Sequence, residues 1–422
     1  MENKIIQKPE VKDIEKYKHL PVRKMKLSNN AEVFGFYNGD VKATRIDVLF
    51  PAGRVFQNKA FQSALTNALL REGSDKKIEE KLDYYGIFIK HRIEDYWSVF
   101  SFNFPVMYLE KTMEIIKELL FEPVIEKSNF RFIKNRTMEN LIKSLQRTDF
   151  TAHIHFKNLL WGNDHPLGML PDENRLNELT VSDIKEFYNK QYLDLFKIII
   201  SGYYPSDIDK SLNKYFGTRD IPGSDHHIPF PSDIKEEKER HIHLKNKSQL
   251  TVKWGFKSIN PGHEDYFKFR IMNTVFGGYF GSRLMQNIRE DKAYTYGVFS
   301  SVQPSAAGTS LSLSTDVGKE YFEDTIIQIE KEIERLKKEP PAGDELRLIK
   351  NFMSGELLSV FDGAFKHAGV YRYMLEMGLD FDYYSDYLKT IKFITSEDIA
   401  ETAKKYLKFE NFRKVSAGEF LK

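Results

Sequence analysis

Thr180-Val181-Ser182-Asp183-Ile184, with Tyr192-Leu193 just beyond, and Thr395-Ser396-Glu397-Asp398-Ile399, with Tyr406-Leu407 just beyond, decide how this chain is organised. Each reads as a helix start, in which a Thr hydroxyl caps exposed N–H groups and a carboxylate three residues on favours the helix N-terminus. The two copies stand 215 residues apart. Tyr108-Leu109-Glu110-Lys111-Thr112 opens a helical pattern that stops at Pro123, and it recurs 213 residues later as Tyr321-Phe322-Glu323-Asp324-Thr325, stopping at Pro340. The strand-like run from Lys197 to Gly202 recurs 216 residues later as the run from Arg413 to Gly418. Thr caps and Gly-ended strands are common singly. Three of them in one order at a nearly constant offset imply a duplication.

The chain therefore reads as two similar halves of about 210 residues. The expected division is residues 1–218, a linker over 219–245 and a second half over 246–422. Pro222, Gly223, Pro229 and Pro231 break structure at the seam, and a charged run from Lys235 to Arg240 follows. Trp97 to Phe104 alternates as a half-buried strand, and 108–120 follows as a helix. In the second half, Tyr294–Val302 and Gly308–Asp316 read as neighbouring strands, followed by helices over 319–338 and 344–360. Paired strands followed by runs of helices give an α+β architecture, with an antiparallel sheet packed against helices in each half.

Composition narrows the function. Apolar residues are 41%, charged residues 29% and aromatics 14%, and the 422 residues suffice for sizeable cores. A net charge of +2 gives no basic excess for nucleic acid. With no cysteine, disulfides, Cys-ligated metals and a Cys nucleophile are excluded. No apolar run is long enough to cross a bilayer. The charged N-terminus carries no apolar signal core, so a cytoplasmic location is expected.

The histidines are the remaining candidate metal ligands. His153/His155 and His241/His243 are spaced to share one face of a strand, and His226-His227 fall in the linker. None sits in H-x-x-E-H or H-E-x-x-H. G-x-S-x-G and a P-loop are also absent. The stretch Phe276-Gly277-Gly278-Tyr279-Phe280-Gly281-Ser282-Arg283-Leu284 is glycine-dense and permits close backbone approach. The helix expected after it places Phe280, Leu284 and Ile288 on one stripe and carries Arg289 near its end. Tyr296 lies on the strand expected from Tyr294. A fixed cation and a phenol stabilise charge developing on a carbonyl oxygen. The same residues also read as a solvated helix end and a packed aromatic.

The duplication and the run from Phe276 to Val298 resemble the M16 peptidases, the pitrilysin group that includes mitochondrial processing peptidases. The resemblance covers nearly the whole chain and implies the LuxS/MPP-like metallohydrolase fold. It implies that Arg289 and Tyr296, seven apart as in that family, complete an active site whose zinc sits in an N-terminal half. Gly277, Gly278, Gly281 and Ser282 would then let peptide or partner backbone approach. Where the family carries H-x-x-E-H, this chain has Ala64, Asn67 and Ala68. Ala cannot ligate zinc, and Asn cannot take a proton as a general base. Phe61, Ala64, Leu65, Ala68 and Leu69 instead read as an ordinary apolar stripe ending at Gly73. The family's third ligand, a Glu about 75 residues on, would fall near Asn140, Lys143 and Ser144, and Glu139 is several residues short. The resemblance thus implies a zinc-less chain that supplies Arg289 and Tyr296 to an H-x-x-E-H-bearing partner, which holds Zn and takes unfolded peptide. The alternatives are a structural subunit, a peptide-binding module, and an autonomous metalloenzyme built on His153/His155.

Overall fold

The computed structural model describes residues 17–40, 42–73, 76–221, 223 and 237–420. Ser74, Pro222, Pro229, Pro231, the His226-His227 pair and Lys235 lie outside the described residues. Strands β1 (Arg23–Lys26), β2 (Glu32–Tyr37), β3 (Ala43–Phe50), β4 (Phe88–Ile93), β5 (Ser98–Pro105) and β6 (Lys197–Gly202) form one sheet, ordered β1-β2-β6-β3-β5-β4. Strands β7 (Glu239–His243), β8 (Gln249–Ser258), β9 (Val298–Gln303), β10 (Thr309–Gly318) and β11 (Arg413–Gly418) form the other, ordered β7-β11-β8-β10-β9. The second order repeats the first without β1. The sheets are antiparallel except at one corresponding pair each, β2 with β6 and β7 with β11, which run parallel. The antiparallel sheet expected in each half is present, with one parallel pair added. The parallel pair arises because the last strand of each half returns to the middle of its sheet after a run of helices. Glu239–His243, inside the stretch read as linker, is the edge strand of the second sheet.

The helices of the first half are α1 (Gln62–Glu72), α2 (Lys76–Tyr84), α3 (Leu109–Phe121), α4 (Lys127–Leu145), α5 (Thr148–Trp161), α6 (Glu173–Glu178), α7 (Val181–Gln191) and α8 (Ile208–Phe216). Those of the second are α9 (Tyr266–Asn273), α10 (Phe322–Lys338), α11 (Gly343–Ser359), α12 (Gly363–Met377), α13 (Asp382–Phe393) and α14 (Ser396–Tyr406). Thr180 and Thr395 both form the reciprocal box with Asp183 and Asp398. The helices α3 and α10 start alike, with Thr112 and Thr325 hydroxyls donating to the Tyr108 and Tyr321 carbonyls at 2.9 and 2.8 Å.

Alternation along the first sheet feeds two cores. Ile46, Val48, Phe100, Phe102, Ile198 and Ile200 pack into the core that includes α3 and α8. Phe34, Phe36, Leu49, Val99 and Ile199 face the other way and join the core of the second half. The covering element there is α12, a second-half helix lying on β2 and β6, while the first-half helix α5 lies on β8 and β11. Each half thus lends the other a helix.

Candidate functional site: the Arg289–Tyr296 turn and the degenerate zinc helix

Beyond α9 the backbone widens into a π-helical turn, Thr274–Gly278, bends at Tyr279 and Phe280, and forms a second π-helical turn, Met285–Asp291. The bend breaks the expected stripe. Leu284 and Ile288 are buried, but Phe280 is 62% exposed. Its ring instead lies under the Arg289 guanidinium at 4.2 Å, a cation–π contact. Arg289 Nη1 also pairs with Glu290 Oε1 at 2.7 Å. Neighbouring Arg283 is buried and grips both Glu345 oxygens at 2.9 and 3.0 Å, anchoring the segment to α11.

The four residues expected to admit substrate are not alike. Gly277 is buried, and a Cβ there would meet Ser300 Oγ at 2.6 Å and Leu284 at 2.9 Å, so its lack of a side chain serves packing against β9. Ser282 is 1% exposed, inside the fold. Gly278 is exposed and Gly281 half-buried against the Tyr279 ring.

The strand expected from Tyr294 begins only at Val298. Ala293 closes the π-helical turn with φ of 55°, a left-handed conformation that turns the chain aside. Tyr294 is then tied down, its hydroxyl donating to Asp324 at 2.8 Å and its ring stacked on Tyr321 at 4.4 Å. Thr295 Oγ1 donates to the Gly297 carbonyl at 3.0 Å, and Thr315 Oγ1 lies 3.0 Å from that carbonyl and 3.1 Å from Thr295 Oγ1, with one proton to give to either. Between these anchors Tyr296 stands out of the fold, 94% exposed. Arg289 and Tyr296 line one open depression of about 330 Å³, with Gln249, Glu290 and Thr295. It holds a cation and a phenol on a backbone fixed before any ligand arrives. Neither Ala64, Asn67 nor Ala68 lines it.

Those three lie on α1, which packs against α4 and α7 and beside β4. Ala64 is exposed and Ala68 half-buried, so Ala64 is not on the buried stripe read from the sequence. Asn67 is fully buried. Its Oδ1 accepts from Ser98 Oγ at 2.7 Å and from the Tyr192 hydroxyl at 3.1 Å, and its Nδ2 donates to the Arg92 carbonyl at 3.3 Å. The Tyr192 hydroxyl also lies 3.0 Å from Ser98 Oγ, closing the cluster. Burial holds that phenol well above its ordinary range. The position at which the resemblance implies a catalytic Glu is thus a sealed structural bond between helix and sheet. The second half uses the same device, with Asn273 Oδ1 accepting from Ser300 Oγ at 2.7 Å. The expected third-ligand region does lie on a neighbour of α1, but it brings Lys143 and Ser144. These residues do not fit zinc.

The histidines fare no better. His153 and His155 lie on α5, a helix, so a spacing of two sends them to different sides. Burial pushes His153 down to about 4, helped by Lys157, Lys253 and Arg54, and those cations would repel a metal ion as well as a proton. Arg240 Nη1 lies 3.1 Å from His155 Nδ1, and burial, then Arg240, lowers that ring too. His241 and His243 do share a face of strand β7. Among the described residues no three His, Asp or Glu side chains converge as a metal site.

Residues 178–353 match the family model described as "Peptidase M16 inactive domain". The chain is 24% identical over 249 residues to the uncharacterized zinc protease YmxG of Bacillus subtilis, covering 58% of this chain and 60% of that protein. It is 22% identical over 326 residues to the probable inactive metalloprotease YmfF of the same organism, covering 70% of this chain and 71% of YmfF. The crystal structure of a peptidase M16 inactive domain from Pseudomonas fluorescens superposes with a TM-score of 0.84 at 22% identity, over 95% of this chain and 99% of that one.

Proposed function

We propose that this chain, which carries the M16 inactive domain on the M16 fold, is the zinc-less subunit of a two-chain peptidase. Arg289 and Tyr296 serve an active site whose zinc is held by an H-x-x-E-H-bearing partner. One observation carries the reading. Tyr296 is almost wholly exposed on a turn pinned from both sides, in one depression with Arg289. Tyr is among the residue types enriched at binding hot spots, and here its ring is held clear of the fold beside a cation.

The chemistry follows from the two groups. The phenol donates one hydrogen bond and the guanidinium several, both toward a carbonyl that gains negative charge as it is attacked. Strand β9 starts two residues past Tyr296, and its outer edge pairs with no described strand. An extended peptide added there would run beside the pair, a known mode of peptide capture. The zinc of the partner would supply the activated water.

The test is peptide cleavage by this chain, by an H-x-x-E-H-bearing M16 chain, and by the mixture. Only the mixture should cleave, and chelator should stop it. Arg289→Ala or Tyr296→Phe should lower kcat by about 10²–10³, the loss typical of one donor to a developing oxyanion. Because neither side chain supports the core, both variants should keep wild-type stability. A mixture that assembles and cleaves equally well with both variants would refute the reading. That result would support the second one, a structural or peptide-binding subunit, which the existing contacts of Arg289 with Glu290 and Phe280 favour.

A further inference from the structure

Away from the Arg/Tyr turn, a cavity of about 370 Å³ opens among α9, α11, α12 and α13. Tyr266, Tyr373, Tyr384 and Tyr387 form much of its wall. Two opposite charges line it, Arg270 and Glu356, yet they form no ion pair with each other. The Arg270 side chain is half-buried and makes no hydrogen bond or ion pair with any described residue. Its guanidinium lies 4.7 Å over the face of Tyr387. That contact leaves its N–H donors unused. Partly desolvating a cation without hydrogen-bond partners is costly unless something else satisfies it. Glu356 is exposed at the mouth, where burial by its surroundings still raises its carboxyl, partly offset by Arg270. The volume lies at the small end of the range for small-molecule sites, about 300–1,000 Å³, and such sites combine aromatic walls with a few placed polar groups.

We propose that this cavity binds a small zwitterion, an α-amino acid with an apolar side chain. Arg270 receives the carboxylate, Glu356 the ammonium, and the tyrosine rings the side chain. A guanidinium matches a carboxylate with two parallel bonds. A ligand with both charges suits Arg270 and Glu356 together, because a simple anion would meet the Glu356 carboxylate and a simple cation would meet Arg270. The site is independent of the Arg289–Tyr296 reading and shares no residue with that depression.

The experiment is isothermal titration calorimetry on the full chain with L-phenylalanine, N-acetyl-L-phenylalanine and L-phenylalanine amide. L-phenylalanine should bind, and loss of either ligand charge should weaken binding at least about tenfold. Arg270→Gln should weaken L-phenylalanine and the N-acetyl compound alike. Glu356→Gln is at the exposed mouth and leaves the fold intact. It should weaken L-phenylalanine while leaving the N-acetyl compound unchanged or tighter. No binding of any of the three ligands at 10 mM, on the order of the weakest useful affinity, would overturn the proposal. So would equal affinities in wild type and Glu356→Gln. Tighter binding of N-acetyl-L-phenylalanine than of L-phenylalanine would point to the C-terminal end of a peptide instead, and would overturn it too.

Discussion

Asn67→Glu introduces the residue that the M16 resemblance implies for a zinc-bearing chain at this position, and the structure says it will damage the protein. Asn67 is 0% exposed and holds three bonds, to Ser98, Tyr192 and the Arg92 carbonyl. A carboxylate there could still accept from the two hydroxyls. It would lose the donor to the Arg92 carbonyl, and that oxygen would face negative charge. In a sealed site the side chain escapes most cheaply by taking a proton. At pH 7 that costs about 4 kcal/mol, the gap between pH 7 and an ordinary Glu pKa of about 4.3 at 1.36 kcal/mol per unit. The extra methylene adds about 1–3 kcal/mol of overpacking. The folded pKa of this Glu would be raised, so the penalty is largest at pH 7 and shrinks as pH falls toward 4. Urea unfolding at pH 7 and pH 5, beside wild type, measures both the loss and its pH slope. A loss below about 0.5 kcal/mol at pH 7, which is the scale of ordinary surface substitutions, would show that Asn67 does not sit in a sealed core. The triple change Ala64→His, Asn67→Glu, Ala68→His should likewise fail to bind zinc at one equivalent by atomic absorption, because Lys143 and Ser144 stand where the third ligand is expected and Glu139, the one carboxylate on α4, is exposed and several residues short of it.

His165 is 1% exposed and its Nδ1 accepts from the Leu167 N–H at 3.1 Å, so burial, then Lys257, pushes the ring down to about 4. A lowered histidine favours folding while neutral. Stability should be full above pH 6.5 and fall by about 3 kcal/mol on acidification toward pH 4, with a shallower fall in His165→Asn. Glu345→Ala would strand the buried Arg283 guanidinium and should cost about 3 kcal/mol in denaturant unfolding. Ala293→Gly relieves a left-handed alanine and should raise stability by about 0.5–1 kcal/mol.

What was legible in the sequence was local or repeated. The Thr–Asp boxes at 180 and 395 declare themselves within four residues, and the common offset exposed the duplication behind the shared strand order. The role of Asn67 was not legible, because its hydroxyl partners lie 31 and 125 residues away. The His153/His155 spacing suggested a strand, whereas burial of Phe156, Leu159 and Leu160 on α5 follows helical spacing. At Tyr294–Gly297 the aromatic and β-branched residues read as strand. One left-handed residue, Ala293, and the Thr295 and Thr315 bonds overrode that preference and left Tyr296 in water. The Arg270 cavity has no local signature in the sequence, because the tyrosines around it come from residues as far on as 387.

The lending of α5 and α12 between halves bears on how such a chain could arise and how it must fold. A lone first half would expose Phe34, Phe36 and Ile199 where α12 now lies, at about 6 kcal/mol for the three. It would not be expected to persist as a monomer. It would find a second copy of itself, and each copy would cover the other's sheet with its own helix. The present chain carries both partners of such a pairing in one polypeptide. Unfolding should accordingly be a single cooperative event, and the two halves made as separate polypeptides in one cell should recombine into the intact fold.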